Sequence, residues 1–163
     1  LRSAQPSEGD VFINGLNLNK SKNLVRCRRE LGFCPQFDAH FDKMTGREHV
    51  RMYANLKGLE AEHLEEIVSS KLAQCGLNEA DSDKISSEYS GGMRRKLSVA
   101  IATVANPPVV VLDEPSTGMD PVSRREMWDL VKRLSEKGDT CILLTTHSME
   151  VSERTNERTS GNI

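Results

Sequence analysis

The chain has 163 residues, with 22 basic and 24 acidic side chains and a formal net charge of −2. This length suits one domain with one hydrophobic core. The near balance of charge and an aromatic content of 4% argue against a nucleic-acid-binding surface, which needs excess cations or stacking rings. No apolar run approaches the ~20 residues of a membrane-crossing helix, so we expect a soluble segment.

The N-terminal part of the chain predicts short strands. Residues 10–14 have the pattern of one strand, and an Asn-Gly pair predicts a turn at its end. The apolar run Leu31–Cys34 predicts a second strand, which Pro35 interrupts, so that Gln36 lies at its exit. A glutamine there is most often a plain loop residue. The functional alternative is a neutral oxygen ligand for a metal ion or a water.

The middle of the chain has helical patterns. Thr45 and Glu48 have the spacing of a capping box at the start of a first helix. A second helix is predicted over about residues 61–75, with its apolar positions on one face and Gly76 placed to end it. Residues 81–88 are polar and predict a loop. This helical block interrupts the strand-rich parts and therefore predicts an inserted subdomain.

Four small or flexible residues, Ser90, Gly91, Gly92 and Met93, precede a further helix. The glycines leave backbone N–H groups uncovered at a helix N-terminus, which favours an anion, and Ser90 adds a hydroxyl donor. This segment can therefore seat a phosphate group. An ordinary Ser/Gly helix cap explains the same residues, and taken alone they do not separate the two interpretations.

Residues 109–115, Val-Val-Val-Leu-Asp-Glu-Pro, are the centre of the pattern. An apolar run without polar alternation predicts a strand buried on both faces, as in a parallel sheet. Asp113 and Glu114 follow at its carboxyl end, where the ligand crevice of an open α/β sheet lies. Successive side chains point to opposite sides. Asp113 can therefore hold Mg²⁺ through water while Glu114 faces an attacking water as a general base. The alternative is a plain strand-ending turn.

Two more polar side chains follow predicted elements. Asp120 is a good helix N-cap, with Pro121 at the first helical position, whatever else it does. Residues 140–145 predict another buried strand, and His147 after it can hydrogen-bond a phosphate or a water, although a lone histidine there is more often structural. Residues 151–163 are polar, lack apolar periodicity and predict a disordered tail.

Taken in order, these features resemble the nucleotide-binding domain of an ABC (ATP-binding cassette) transporter. Gln36 is similar to the Q-loop, and residues 109–114 to the Walker B strand. Residues 89–93 are similar to the signature motif, usually written LSGGQ, with Tyr for Leu and Met for Gln. Asp120 lies in a stretch that resembles the D-loop, and His147 resembles the switch histidine. The resemblance covers about residues 7–150, nearly the whole chain.

Several details resemble subfamily A, the lipid exporters. They are Cys-Pro-Gln-Phe-Asp, Tyr-Ser-Gly-Gly with a following Arg-Lys, Thr-Gly-Met-Asp-Pro and Thr-His-Ser-Met-Glu. The fold that the resemblance implies is α/β, a P-loop NTPase-like ABC ATPase core with a partly parallel sheet flanked by helices. Residues 1–150 would form a partial nucleotide-binding domain, and about residues 45–105 its inserted helical subdomain.

The resemblance also implies a role for each matching residue. Gln36 would touch Mg²⁺ or the water and sense the transmembrane partner. Asp113 would hold Mg²⁺ through water, Glu114 would polarise the attacking water, and His147 would contact the γ-phosphate of ATP. The signature residues would contact the γ-phosphate of a nucleotide held by the opposite domain. The nucleotide-binding set is then Ser90, Gly91, Gly92, Met93, Gln36 and Asp120.

The implied function is the coupling of ATP binding and hydrolysis to transmembrane transport of a lipid, at the cytosolic face of a membrane. The implied partners are a second nucleotide-binding domain and the transmembrane domains of the same transporter, with Mg²⁺ and ATP as ligands and no nucleic acid. Two alternatives are a non-catalytic half-site module that completes a partner's ATP site, and a soluble ABC ATPase.

One motif of the family is missing from the sequence. No G-x-x-x-x-G-K-S/T occurs, although this P-loop supplies the N–H cradle and the lysine for the phosphates. The resemblance places the P-loop just upstream of Leu1, so we expect a chain truncated at its N-terminus. Residues 151–163 depart from the family pattern, which is consistent with an alternative end of the chain or with truncation at the C-terminus as well. The isolated chain is therefore expected to be inactive as an ATPase.

Overall fold

A computed structural model of the chain describes residues 8–136 and 140–146, in which the backbone forms five strands and six α-helices. In chain order these are β1 (Phe12–Ile13), β2 (Leu16–Asn17), α1 (Leu24–Arg29), β3 (Leu31–Cys34), α2 (Gly46–Lys57), α3 (Leu64–Gln74), α4 (Glu79–Ser82), α5 (Gly91–Thr103), β4 (Val109–Asp113), α6 (Pro121–Glu136) and β5 (Cys141–Thr145). Of these described helices, none combines the length and the apolar composition that a membrane span requires. The predicted tail at residues 151–163 lies outside the described residues.

Strands β3, β4 and β5 form a parallel sheet with β4 in the middle. The pairing of β4 with β5 ends with Asp113 opposite Thr145. Because the three strands run in the same direction, their carboxyl ends meet at one edge of the sheet. The predicted parallel α/β sheet is confirmed, and Asp113 lies at the edge where ligand crevices form in such sheets.

Within the described residues, the sheet is well covered on one face only. Val110 and Leu112 of β4 are fully buried, whereas the alternate residues Val109 and Val111, whose side chains point to the other face, are partly exposed. On β5, Leu143 is 59% exposed. The prediction of strands buried on both faces is therefore wrong for this part of the chain. An apolar run shows that a strand lies in a sheet interior, but it does not show that both faces are covered.

Helix α5 covers the buried face at very short range. Gly32 of β3 pairs with Val110 of β4, and both lie on this face. A Cβ atom at Gly32 would lie 2.1 Å from the carbonyl oxygen of Ala102, which is backbone and cannot rotate away. The sheet and α5 therefore approach closely because position 32 has no side chain.

The predicted helical block is present. Helix α2 begins with the predicted capping box, in which Thr45 Oγ1 accepts from Glu48 N–H (3.1 Å) and Glu48 Oε2 accepts from Thr45 N–H (2.8 Å). Helix α3 ends before Gly76, whose φ of 76° is the left-handed conformation of a helix stop. The predicted loop at residues 81–88 is confirmed only for residues 83–85, because the short helix α4 extends to Ser82 and a 3₁₀ helix covers Ser86–Glu88.

One hydrophobic cluster joins the helical block to the sheet. It includes Val50 of α2, Val68 of α3, Leu97 of α5 and Leu112 of β4, all of which are fully buried. Helix α5 belongs to both regions, since it contacts α2 and α3 as well as β3 and β4. A shift of the helical block relative to the sheet must therefore be accommodated by α5.

We expect Gly32→Ala to destabilise the fold by about 1–3 kcal/mol, because overpacking forces the backbone of α5 away from β3. Denaturant unfolding at equilibrium measures this difference. Gly91→Ala is the matched control, because a Cβ atom there meets no atom within 4 Å. A Gly32→Ala variant as stable as Gly91→Ala would contradict the close approach.

Candidate functional site

The predicted residues fall into two groups in the structure. The strand-end group consists of Gln36, Asp113 and Glu114, which follow β3 and β4. The helix-end group lies at the starts of α5 and α6 and consists of Ser90, Gly91, Gly92, Met93 and Asp120. His147, which was predicted to follow the next strand, lies outside the described residues.

Asp113 is held by the neighbouring strand. Thr145 Oγ1 donates to Asp113 Oδ1 at 2.6 Å and accepts from Glu114 N–H at 3.0 Å. One hydroxyl therefore fixes the carboxylate of Asp113 and the backbone of Glu114 at the same time. Sequence reasoning missed Thr145, although its polar side chain at the end of an apolar run is a signal once β4 and β5 are paired in register.

Glu114 has an unusual backbone. Its φ of 46° places it in the left-handed region, which costs a residue other than glycine about 1–3 kcal/mol. Thr117 Oγ1 donates to Glu114 Oε2 at 3.0 Å, and the Thr117 N–H donates to the Glu114 carbonyl at 3.2 Å. The carboxylate is therefore oriented by the turn that follows it. Sequence reasoning missed Thr117 as well.

The buried guanidinium of Arg95, on α5, supports the turn after β4. Its side chain is 5% exposed. Arg95 Nη2 donates to the carbonyls of Asp113 (2.6 Å) and Glu114 (3.0 Å), and Nε donates to the carbonyl of Pro115 (2.9 Å). Three successive carbonyls, from the last residue of β4 onward, are thus satisfied by one side chain.

The same guanidinium also reaches the segment after β3. Arg95 Nη1 donates to the carbonyls of Pro35 and Gln36, the latter at 3.2 Å. Asp38 Oδ1 lies 3.6 Å from Nη1 and supplies the countercharge. Gln36 itself is an exposed residue, so its backbone, through Arg95, is what connects it to Asp113 and Glu114.

Sequence reasoning did not single out Arg95, although a signal was present. Arg95, Val99 and Ala102 have the i, i+4, i+7 spacing of one helix face, and all three are buried. A charged residue on the apolar face of a helix needs a buried set of polar partners. The carbonyls that form this set come from two distant segments and are invisible in the sequence.

The oxygen ligands of the strand-end group fit Mg²⁺ bound together with a nucleotide. In the described part of the chain, no cluster of three or more His, Cys, Asp or Glu side chains is placed to hold a metal ion. Mg²⁺ commonly keeps several waters and binds through one or two carboxylates plus substrate phosphates. Asp113 has a carboxylate of the type that such a site uses, and the exposed side chain of Gln36 has a neutral amide oxygen.

Ser90 is the N-cap of α5, because its Oγ accepts from Met93 N–H at 3.2 Å. Ser90 and Gly91 are exposed, and a Cβ atom at Gly91 would meet no neighbour within 4 Å. The capping interpretation is thus confirmed. It uses Ser90 Oγ as an acceptor, so the hydroxyl proton remains available to donate to a ligand.

The start of α6 adjoins the start of α5. A Cβ atom at Gly92 would lie 3.0 Å from Ser123 Oγ. Asp120 caps α6 by accepting from Val122 N–H (2.9 Å) and Ser123 N–H (3.0 Å), as predicted. Hydrogen bonds from Ser123, first through its side chain, hold the pKa of Asp120 below its usual value.

Tyr89, at the position of the leucine in the signature pattern, precedes the helix-end group and is fixed by packing and one hydrogen bond. The residue is buried, its hydroxyl donates to the Asp81 carbonyl at 2.6 Å, and burial raises its pKa to about 12. A Cβ atom at Gly46 would lie 2.1 Å from this hydroxyl oxygen. The glycine at the start of α2 therefore makes room for the tyrosine.

A second polar cluster lies beside Arg95. Ser98 Oγ donates to Asp38 Oδ1 at 2.7 Å, and His40 Nε2 lies 3.1 Å from Ser98 Oγ. Because the hydroxyl has one proton, His40 Nε2 is the donor in the second bond, which fixes the neutral tautomer. His40 Nδ1 is buried without a hydrogen-bond partner among the described residues. Burial lowers the pKa of His40 to about 4 and outweighs the nearby Asp38.

Comparison with known proteins adds an independent observation. The family model described as "ABC transporter" matches residues 1–117. ABC transporter A family member 12 of Arabidopsis thaliana is 45% identical over 150 residues, which are 91% of this chain and 16% of that protein. The phospholipid-transporting ATPase ABCA3 of Homo sapiens is 46% identical over 147 residues, 90% of this chain and 8% of that protein. The chain therefore spans a small part of the curated relatives that it matches.

A solved structure has the same fold. It is the dimeric, post-hydrolysis state of the ATP-binding cassette MJ0796 bound to ADP and Pi. The TM-score is 0.79 at 25% sequence identity, and the alignment covers 91% of this chain and 66% of the other.

The pKa of His40 predicts how the stability of the chain depends on pH. The folded chain takes up this proton near pH 4, whereas the unfolded chain takes it up near 6.5. Acidification through this window therefore favours the unfolded state, and stability falls by at most about 1.4 kcal/mol per pH unit from this group. We expect His40→Gln to lose less stability than the wild type between these pH values in denaturant titrations. His63→Gln, at an exposed position, is the control that should retain the wild-type slope. Parallel curves for His40→Gln and the wild type would contradict the assignment.

Proposed function

Because this chain belongs to the ABC transporter family, we propose that it works as an ATP-binding cassette. In a transporter it would couple ATP binding and hydrolysis to the movement of a lipid across a membrane. The similarity to a phospholipid-transporting ATPase supports a lipid as the transported substrate. The similarity to A-family transporters does not favour the alternative of a soluble ABC ATPase. The cassette would act at the cytosolic face, next to the transmembrane domains of the transporter.

The observation that carries this proposal is the arrangement at the carboxyl end of β4. Asp113 and Glu114 are adjacent, and each has a separate hydrogen-bond partner, Thr145 for the first and Thr117 for the second. Two carboxylates that are oriented independently can perform two tasks. The left-handed backbone of Glu114 costs free energy, which supports a role for its side chain beyond closing the turn.

In the proposed reaction, Asp113 and Gln36 would hold Mg²⁺, which when bound neutralises charge on the ATP phosphates. Glu114 would orient and polarise the water that attacks the γ-phosphate. Thr117 keeps the Glu114 carboxylate in one position, so that less orientational freedom is lost when the water binds. His147 is proposed to contact the γ-phosphate.

The helix-end group would serve a second nucleotide-binding domain. Ser90, Gly91 and Gly92 would donate to the γ-phosphate of ATP held by that domain, with Met93 and Asp120 beside them. This proposed phosphate contact is supported by the exposure of Ser90 and Gly91 at the start of a 13-residue helix. Uncovered N–H groups at a helix N-terminus favour an anion. The boundaries proposed for the domain, residues 1–150 with a helical subdomain over about residues 45–105, follow the same assignment.

We expect no ATP turnover by the purified chain alone, because the sequence contains no G-x-x-x-x-G-K-S/T motif to cradle the phosphates. A coupled assay of phosphate release, with circular dichroism on the same sample to establish folding, measures this. Hydrolysis that Glu114→Gln abolishes would contradict the expectation.

We also expect the chain to associate with a complete A-family nucleotide-binding domain in the presence of Mg-ATP and not of ADP. Analytical ultracentrifugation measures this association. Ser90→Arg should abolish it, since the long cation blocks the approach of the γ-phosphate. Ser87→Arg, an exposed position three residues earlier, should leave it intact. A folded chain that fails to associate in Mg-ATP would overturn the proposal.

A further inference from the structure

Arg95 connects two segments that are far apart in the sequence. The Gln36 segment (residues 35–38) follows β3, and the Glu114 turn (residues 113–117) follows β4. We propose that the Arg95 guanidinium couples these two segments, so that a displacement of the Gln36 segment changes the position of Glu114. Arg95 is thereby a positioning residue for the reaction. This inference rests on the proposed function, in which Gln36 senses the transporter and Glu114 polarises the water.

The geometry makes this coupling direct. A guanidinium has five N–H donors fixed in one plane. In this structure they serve five backbone carbonyls, those of residues 35, 36, 113, 114 and 115. Nε and Nη2 face the Glu114 turn and Nη1 faces the Gln36 segment. Since the group is planar and rigid, one segment cannot shift without either moving the plane or breaking a bond.

Burial of Arg95 makes it costly to break one of these hydrogen bonds. The Arg95 side chain is 5% exposed, so water cannot readily replace a carbonyl that moves away. A buried donor on a charged group that is left without an acceptor costs free energy, since water does not replace the lost bond. Asp38, the countercharge of Arg95, lies in the Gln36 segment itself. Charge attraction therefore ties the guanidinium to the segment that is proposed to sense the transporter.

The conformation of the Glu114 turn depends on its hydrogen bonds with Arg95. Residue 114 is held in the left-handed conformation by Arg95 on its carbonyl and by Thr145 on its N–H. A conformation that costs free energy persists only while its surroundings impose it. Withdrawal of the Arg95 bonds would therefore release Glu114 towards ordinary backbone angles and away from its bond with Thr117.

Lysine cannot replace Arg95 in this role. Its ammonium is a point charge with three donors and has no rigid fork. Arg95→Lys therefore keeps the positive charge beside Asp38 but loses the simultaneous connection to both segments. Arg94→Lys is the matched control on the adjacent, exposed position, where the guanidinium donates to the carbonyl of Ser87 at 3.3 Å.

The test is a double-mutant cycle read by hydrogen exchange of the full chain, without nucleotide or partner. Gln36→Gly loosens the Gln36 segment, and exchange is measured at the Glu114 and Thr117 amides, whose bonds close the Glu114 turn. We expect Gln36→Gly to accelerate this exchange about fivefold or more when Arg95 is present. In the Arg95→Lys background the added acceleration should disappear, and in the Arg94→Lys background it should persist.

Equal acceleration in the wild-type and Arg95→Lys backgrounds would overturn the coupling, and so would no acceleration in the wild type. A residue that only stabilised the fold would speed exchange throughout, including in α3, without this non-additivity. Because no nucleotide takes part, failure here is distinct from failure to associate in Mg-ATP.

If Arg95→Lys does not fold, the Arg95 Nε–H resonance answers the same question in chains that retain Arg95. Nε donates to the Pro115 carbonyl and not to the Gln36 segment. Gln36→Gly should nevertheless shift the Nε–H signal and speed its exchange. An unchanged Nε–H signal would show that the displacement does not pass through the guanidinium.

Discussion

The site depends on how the backbone is satisfied where it leaves the sheet. Parallel strands pair their carbonyls only as far as the ladder extends, and the buried carbonyls beyond need other donors. Here the chain leaves β3 and β4 at neighbouring points, and five carbonyls at or just beyond these strand ends are satisfied by Arg95. Because the donor is one side chain on α5, the two loops can be irregular without being unsupported.

This arrangement gives α5 three tasks. Its first residues, after the Ser90 cap, belong to the helix-end group. Its middle carries Arg95 and Ser98 to the loops, and its last turn packs against Gly32 of β3. The helix-end group and the strand-end group are therefore parts of one continuous structure, although they lie at different places on the surface.

The sequence predicted the parts of the site that depend on local pattern. An apolar run followed by acids placed Asp113 and Glu114 at the edge of a parallel sheet, and the Ser90 and Asp120 caps follow from residue type. It did not predict Thr145 or Arg95. Their roles depend on strand register and on the rotation of α5, which only the packed structure fixes.

The same limit explains the errors in the fold. Apolar composition predicted β5 correctly as a strand but wrongly as buried, because exposure depends on what covers the face that carries Leu143. The loop predicted at residues 81–88 was wrong at both ends, because helices of three or four residues have too few positions to show a period. The roles of His147 and of the nucleotide-binding residues stay predictions.

The left-handed backbone at Glu114 has a consequence for how this position can vary. Glycine would adopt φ near 46° without strain, and asparagine tolerates it better than glutamate. Either residue would suit the turn better, and neither would supply the carboxylate. The residue that the proposed reaction needs and the residue that the backbone conformation prefers are therefore different. If Glu114 acts as proposed, its carboxylate is retained at a backbone position where it lowers the stability of the fold.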